Sequence, residues 1–554
     1  MKYTAKELSE ITHSQICGDG DLLVKNIAFD SRTIYSTVNT AFIALRTAKN
    51  NGEKYIHDAI EKGIKIIISE HQTDHPEGIT FILTKDTTVF LQELAAYHIR
   101  QFPELKTIGI TGSNGKTIIK EWLYQTISDD FMTVKSPKSF NSQIGLPISL
   151  LAVNKNHQIG IFEAGISRPG EMDLLEAVFH PETGVFTHIG TAHLANFSGE
   201  EELIDEKLKL FRHSKTILYN GDNELVSRKI KTLYPEKKLI SFGLKPENEV
   251  CISSNWQDRR EEIRVRYLDE ELSFPAQQRD QATLSNALCV ICVLKELGFS
   301  SGQIIQKINS LKAVEMRLES VEGIHNNLII NDSYNLDMDS LRIAYQFIRE
   351  YQKEHKILIL TDFLESVKTT ALYPEVAALT NEQHFDEVFL IGKEITEYQH
   401  LFSGSVDTFS TTEQLLDSGV FKRIHQALIL LKGARKFETE RIKTVLELRK
   451  NETTLEVNLN AILHNINFHK SLLKPETKMM AMVKANSYGL GSYEISEFLQ
   501  HHHIDYLGVA FADEGVDLRK NGITTPILVM NPEQGSYDTI IDYNLEPEIY
   551  SLRV

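Results

Sequence analysis

Thr107-Ile108-Gly109-Ile110-Thr111-Gly112-Ser113-Asn114-Gly115-Lys116-Thr117 decides how this chain is read. Its first residues alternate β-branched and small side chains, as a short buried strand does, and glycines interrupt the run where a turn must follow. Ile118-Ile119-Lys120-Glu121-Trp122 then opens a helix. A phosphate group is held by this order of elements. Glycines let backbone N–H groups turn inward on the anion, and the helix N-terminus adds partial positive charge. Lys116 reaches a terminal phosphate, and the Thr117 hydroxyl is suited to magnesium. The strict G-x-x-x-x-G-K-[ST] spacing is not met, because Ile110 stands where its first glycine is required.

Outward from this loop the pattern alternates β and α. Thr107 to Ile110, Ile159 to Phe162, Val185 to Ile189 and Thr216 to Tyr219 read as strands of one doubly wound sheet. Leu328 to Ile330, Ile357 to Leu360, Val388 to Ile391 and Leu428 to Leu431 read as buried parallel strands of a second α/β unit. A smaller mixed module precedes both, with Ala41 to Leu45 and Ile64 to Ile68 as its clearest strands. The polar stretch near residue 450 leads into a third series: Leu455 to Val457, Met479 to Val483, Leu507 to Ala510 and Ile527 to Met530. The expected division is 1–100, 101–315, 316–448 and 452–554.

The 554 residues are too many for one small binding module, and the formal charge of −17 repels phosphate backbones and anionic membranes. No nucleic-acid partner and no membrane insertion are expected, and any anionic ligand needs a local site. The start, Met1-Lys2-Tyr3-Thr4-Ala5-Lys6-Glu7-Leu8, shows no apolar leader. Four cysteines suit a reducing cytoplasm. Cys289 and Cys292 form a C-x-x-C inside an apolar helical run, which reads as buried structural thiols.

The loop Thr111-Gly112-Ser113-Asn114-Gly115-Lys116-Thr117 resembles the nucleotide loop of the Mur ligases, ATP-dependent peptide-bond formers of peptidoglycan precursor synthesis. Asp30-Ser31-Arg32 with Phe42-Ile43-Ala44-Leu45 resembles that family's uridine-nucleotide domain, and Asn141-Ser142-Gln143-Ile144-Gly145-Leu146-Pro147 its substrate-side loop. The resemblance covers about residues 20–440. It implies an α/β, three-domain fold: a mixed N-terminal domain, a P-loop-type central ATPase domain and a Rossmann-like C-terminal domain. Asn331-Asp332-Ser333-Tyr334-Asn335 points to the member that adds D-alanyl-D-alanine to UDP-N-acetylmuramoyl-tripeptide, which typically carries D-D-S-Y-N here. Asn331 replaces the first Asp, and Leu336-Asp337-Met338 stands where Ala-Asn-Pro is more frequent.

ATP activation of a carboxylate sets two anions side by side, so metal ions and cations are required. Glu163 follows a strand and should reach the carboxyl edge of the sheet, where ligands of such folds bind. The resemblance adds His193 as a magnesium ligand and Lys207 as a lysine carried as a carbamate; with Thr117 and Glu163 they complete the expected Mg2+ set. It also assigns Asn286 to adenine, Arg317 to the nucleotide phosphates and Asp332 to the ribose. Ser31, Arg32, Asn141, Asn335 and Lys432 are assigned to the substrate side.

Met479-Met480-Ala481-Met482-Val483-Lys484-Ala485-Asn486-Ser487-Tyr488-Gly489 reads as a buried strand ending in a lysine. An apolar setting disfavours an ammonium and suits a Schiff-base nucleophile. The stretch resembles the pyridoxal 5'-phosphate segment of alanine racemase, with Lys484 as aldimine lysine and Tyr488 near the cofactor phosphate. Ser487 and Leu490 depart from that family's Ala and His. A β/α barrel needs about 250 residues, so residues 452–554 are expected to supply a partial β/α barrel, truncated and inactive as a racemase. The expected chemistry is γ-phosphoryl transfer to the tripeptide carboxylate, then attack by the D-alanyl-D-alanine amine, in a cytoplasmic enzyme. The ligase part is expected to be monomeric, whereas a full racemase would dimerise. The rivals are a folylpolyglutamate-type ligase, and a silent scaffold that binds nucleotide or pyridoxal phosphate without turnover.

Overall fold

In the computed structural model, residues 1–552 are described apart from 32–33, 35–36, 38, 48–49, 76, 138, 191–195, 255–261, 269, 275–279, 312–317, 334–335, 350, 352, 354, 365–370, 449–456 and 475. The nucleotide-loop stretch forms the strand Lys106–Thr111, third in a nine-stranded sheet. Parallel neighbours are Ile159–Glu163 on one side and Thr183–Phe186 on the other. Side chains that alternate along these strands feed two separate cores, as a sheet covered on both faces requires. Ile161, Val185 and Leu218 enter one core, and Phe162, Phe186 and Tyr219 the other. The second of these continues into the N-terminal module through Ile43, Phe90 and Leu94.

Two features differ from the sequence reading. The strand expected over Val185 to Ile189 stops at Phe186, because Thr187 turns to serve the loop: its N–H donates to Thr111 O at 2.9 Å and its hydroxyl to Asn114 O at 2.6 Å. Beyond Val250–Ile252 the sheet is extended by an antiparallel hairpin, Ile263–Tyr267 with Glu270–Phe274. Ile263, Val265 and Tyr267 are buried while Arg264 and Arg266 face water. That strict alternation, visible in Ile-Arg-Val-Arg-Tyr, marks a sheet with one wet face.

The N-terminal module is a five-stranded mixed sheet in which Thr40–Ile43 and Ile66–Ser69 pair in parallel. In the third unit, Leu328–Asp332, Ala427–Lys432, His355–Thr361, Glu387–Ile391 and Ser405–Phe409 form a parallel sheet with Glu319–Glu322 as an antiparallel edge. Cys289 and Cys292 are fully buried in the helix Gln281–Glu296, and desolvation pushes both thiols far above the ordinary value. No described helix is long and apolar enough to cross a membrane.

The last unit is a four-stranded parallel sheet, Met480–Met482, Tyr506–Val509, Ile527–Val529 and Glu546–Pro547. Leu455 and Glu456 of the expected first strand lie outside the described residues. The strand before Lys484 is not buried as expected: Met480 is 44% exposed. The reason is its edge position, with Tyr506–Val509 as its single paired neighbour among the described strands.

Candidate functional site

Parallel pairing aligns the carboxyl ends of three strands, with Ile110 opposite Glu163 and Thr111 opposite Phe186. The loop leaves this edge and returns as the helix Lys116–Ile127. Gly112 (φ 142°) must be glycine, since a Cβ there would lie 2.0 Å from Thr187 Oγ1. Gly115 (φ 88°) abuts Asn286, whose Oδ1 would be 2.8 Å from an added Cβ. Asn286, placed at adenine by resemblance, thus lies beneath the loop at the start of this helix. Ser113 N–H donates to His188 O at 2.7 Å, and the Ser113 hydroxyl to Gly190 O at 3.3 Å. Asn114 Nδ2 and Thr111 Oγ1 are buried without a hydrogen-bond partner, which leaves polar atoms at the loop for a ligand to satisfy.

Three lysines converge here. Lys116 Nζ donates to Gly112 O at 2.7 Å and Ser113 O at 2.9 Å. Lys207, at the end of the helix Glu200–Leu208, donates to the same Gly112 O at 3.0 Å and is 2% exposed. Burial, reinforced by the neighbouring Lys116 charge, holds the Lys207 amine well below the ordinary lysine range. Lys120 is fully buried; its ammonium is 2.9 Å from Ser136 O, 3.0 Å from Glu121 and 3.1 Å from Glu163. Its role was missed in the sequence, although Lys120 sits one helical turn beyond Lys116 among Ile119, Trp122 and Leu123, a position that marks the inward face.

Glu163 is fully buried at the sheet edge, as its position after the strand requires. Its Oε2 accepts from the Thr117 hydroxyl at 3.2 Å and from Asn141 Nδ2 at 3.4 Å, and Thr117 Oγ1 is 3.2 Å from Ser139 Oγ. A carboxylate, a hydroxyl and the nearby carbonyls form an oxygen-rich donor set of the kind Mg2+ prefers. These residues fit the ion. Asn141 belongs to the segment between the N-terminal module and this edge: two residues on, Gln143 Oε1 accepts from Gln92 at 2.9 Å. Phe29 meets Phe140 edge to face at 6.4 Å between ring centres. In the N-terminal module Ser31 is buried, its carbonyl accepting from Lys62 at 2.9 Å. His193, Arg317, Arg32 and Asn335 lie outside the described residues.

Comparison with known proteins gives this edge a context. Residues 110–294 match the Mur ligase middle domain, and residues 457–554 the N-terminal domain of alanine racemase. The UDP-N-acetylmuramoyl-tripeptide--D-alanyl-D-alanine ligase of Bacillus subtilis is 26% identical over 459 residues, 80% of this chain and 98% of that protein. The Borreliella burgdorferi protein of the same name is 28% identical over 442 residues, 76% of this chain and 94% of its own length. Among solved structures, MurF from Acinetobacter baumannii aligns with a TM-score of 0.70 at 22% identity, over 80% of this chain and 98% of that one. The chain is a Mur ligase joined to an alanine racemase N-terminal domain. As such it is an ATP-dependent, amide-bond-forming enzyme.

In the third unit of this Mur ligase, two positions assigned to different ligands meet. Asp332 and Lys432 are directly opposite on adjacent parallel strands, with Lys432 Nζ 2.6 Å from Asp332 Oδ2 and fully buried. Asn331, the departure from D-D-S-Y-N, donates to Glu319 Oε2 at 3.1 Å and accepts from the Ser333 hydroxyl at 2.6 Å. Glu319 also binds Lys443 at 2.7 Å. An aspartate at 331 would face a carboxylate, so asparagine suits this neighbourhood.

The racemase-like unit gives Lys484 a different setting from the apolar one expected. Lys484 is half-buried, Tyr488 is 62% exposed, and the Glu514 carboxylate accepts from the Ala485 N–H at 2.7 Å and the Ala510 N–H at 2.6 Å. Ala485 to Tyr488 form one left-handed turn. Lys484, Tyr488 and the Glu514 carboxylate lie open at this turn, and among the described residues nothing encloses them as a cofactor-phosphate pocket.

Proposed function

We propose that this Mur ligase joins D-alanyl-D-alanine to UDP-N-acetylmuramoyl-tripeptide through an acyl phosphate, in the cytoplasm, as a step of peptidoglycan precursor synthesis. The observation that carries the reading is the pairing of Lys116 and Lys207 on the Gly112 carbonyl and of Thr117 with Glu163 at the same sheet edge. The near-complete coverage of relatives bearing that activity's name supports it. Such a chemistry requires crowded negative charge to be neutralised before a carboxylate oxygen attacks phosphorus.

In this reading the loop N–H groups and Lys116 hold the β- and γ-phosphates, and Arg317 approaches them from the third unit. Asn286 and Asp332 serve the adenosine, with Lys432 fixing the Asp332 carboxylate. Thr117, Glu163, His193 and Lys207 would hold magnesium, which would supply positive charge to offset that of the phosphoryl group. Lys207 takes part as a carbamate: its amine, whose pKa burial lowers, adds in its unprotonated form to CO2 with loss of one proton and becomes an oxygen donor. Ser31 and Arg32 hold the uridine nucleotide, and Asn141 and Asn335 guide the peptide towards the edge. No step is routed through pyridoxal phosphate.

A phosphate-release assay with ATP and the muramoyl tripeptide, with and without D-alanyl-D-alanine, tests the proposal. Turnover should require the amine, and Lys116→Ala should abolish it while the circular dichroism spectrum is retained. Near-normal turnover in that variant overturns the assignment. Turnover with folate and glutamate instead would favour the folylpolyglutamate rival, whose Mycobacterium tuberculosis synthase shares the fold at a TM-score of 0.50 and 11% identity.

A further inference from the structure

The opposite edge of the central sheet carries a second cluster that the ligase chemistry does not use. Glu176 lies on the helix Glu171–Val178, His180 follows it, and His213 follows the turn Lys209–Phe211. Both segments then enter adjacent parallel strands, Thr183–Phe186 and Thr216–Asn220, so the cluster sits at the amino edge. Ser214 Oγ donates to Pro181 O at 2.8 Å and the Lys215 N–H to Glu182 O at 2.8 Å, which fixes the two segments side by side.

Here His213 Nδ1 lies 2.5 Å and His180 Nε2 3.6 Å from the same oxygen, Glu176 Oε1. The imidazoles lie 4.3 Å apart, tilted by 34°. One ligand atom from each of the three residues falls within 4.8 Å of the others. A tetrahedral ion with bonds near 2.0 Å holds its ligands about 3.3 Å apart, so side-chain rotations of about an ångström suffice. The Glu176 side chain is 8% exposed, whereas those of His180 and His213 are 42% and 57% exposed, so a buried anchor faces two accessible nitrogens. Arg212 stands 3.8 Å from Glu176 Oε2 but pairs more closely with Asp173, at 2.8 Å.

We propose that Glu176, His180 and His213 form a binding site for one transition-metal ion of the zinc class, tying the helix Glu171–Val178 to the segment that follows Lys207. Two imidazoles and one carboxylate suit zinc or cobalt rather than magnesium, and they leave a fourth position for water. Binding exchanges the hydrogen bond between His213 and Glu176 for one bond from each to the ion, and the His213 ring, coordinating through Nδ1, carries its single proton on Nε2. The ion braces two segments at the amino edge of the sheet, away from the nucleotide loop at the carboxyl edge.

Chelator-treated full-length chain, titrated with Co2+ in excess Mg2+, reads this directly through visible absorption and equilibrium dialysis. The wild type should take up one equivalent with tetrahedral absorption and a raised melting temperature. His180→Gln and His213→Gln should each weaken uptake at least about tenfold, and the double variant should lose that equivalent. Glu163→Gln, at the other edge, should keep it. An equivalent that survives the double substitution, or no uptake by folded wild type, overturns the proposal. If one variant misfolds by circular dichroism, the other single variant decides, since either nitrogen is required.

Discussion

Replacing Lys120 by methionine keeps a long unbranched chain in the same space and removes one buried charge. The ammonium it removes is 3.1 Å from Glu163, and both side chains are fully buried. Glu121, the other partner, is 22% exposed and retains Lys135 at 2.5 Å. The cost therefore falls on Glu163, left with two neutral donors, Thr117 at 3.2 Å and Asn141 at 3.4 Å. Removing one member of a buried pair costs roughly 3–5 kcal/mol. At about 2–4 °C per kcal/mol for a unit of 150–250 residues, the melting transition of the central unit should fall by roughly 6–20 °C. Differential scanning calorimetry on the full chain resolves it, with transitions assigned by nucleotide response because several units need not melt together. A magnesium ion near Glu163 restores positive charge, so Mg·ATP should shrink the deficit. The double variant Lys120→Met, Glu163→Gln should recover most of it, because the uncompensated carboxylate is gone. A drop below about 2 °C, or an equal drop in the single and double variants, would refute the reasoning.

Two further outcomes follow from charges placed in unusual company. Unfolded Lys207 titrates at the ordinary value of 10.5, whereas the buried amine holds its proton only well below that. Between the two values the unfolded state binds one more proton, so this residue's contribution is fully favourable above the ordinary value and is lost as pH falls. The slope is about 1.4 kcal/mol per pH unit, and Lys207→Met should flatten it by that amount in urea titrations from about pH 8 to 10; an unchanged slope contradicts the burial argument. Asn331→Asp exchanges a donor to Glu319 for a second carboxylate and should cost about 1–3 kcal/mol at neutral pH. The two acids would share a proton with a raised pKa, so the deficit should shrink in acid and grow as pH rises; a pH-independent melting deficit argues otherwise.

What the sequence exposes here is local, and what it hides depends on segments far apart along the chain. The loop after Ile110, the helix from Lys116 and the carboxylate after Phe162 are legible because each rests on an order of elements within a few residues. The antiparallel hairpin is also written locally, in the alternation from Ile263 to Tyr267, but it lies beyond a regular β/α series that draws the eye towards further parallel strands. Thr187 is different. Its hydroxyl serves Asn114 across 73 positions, and a threonine just after a strand carries no mark of that duty. Asp332 and Lys432 are likewise paired by a register that joins residues 100 apart. Lys484 shows the converse error: an apolar run suggested burial, but edge strands keep apolar residues half-exposed.

The acidity of the whole molecule sharpens the meaning of its central edge. A net charge of −17 offers a nucleotide no general attraction, so recognition has to be built from groups that hold their charge despite burial. Lys120 does so by facing Glu163 and Glu121. Lys116, half-buried, donates to two loop carbonyls. A third amine at Lys207, sharing the Gly112 carbonyl with Lys116, has no carboxylate among its described contacts, and burial lowers its pKa instead. Lys116 and Lys207 on one loop carbonyl, with Lys120 paired to Glu163 beside them, concentrate the amines of an acidic chain at one sheet edge.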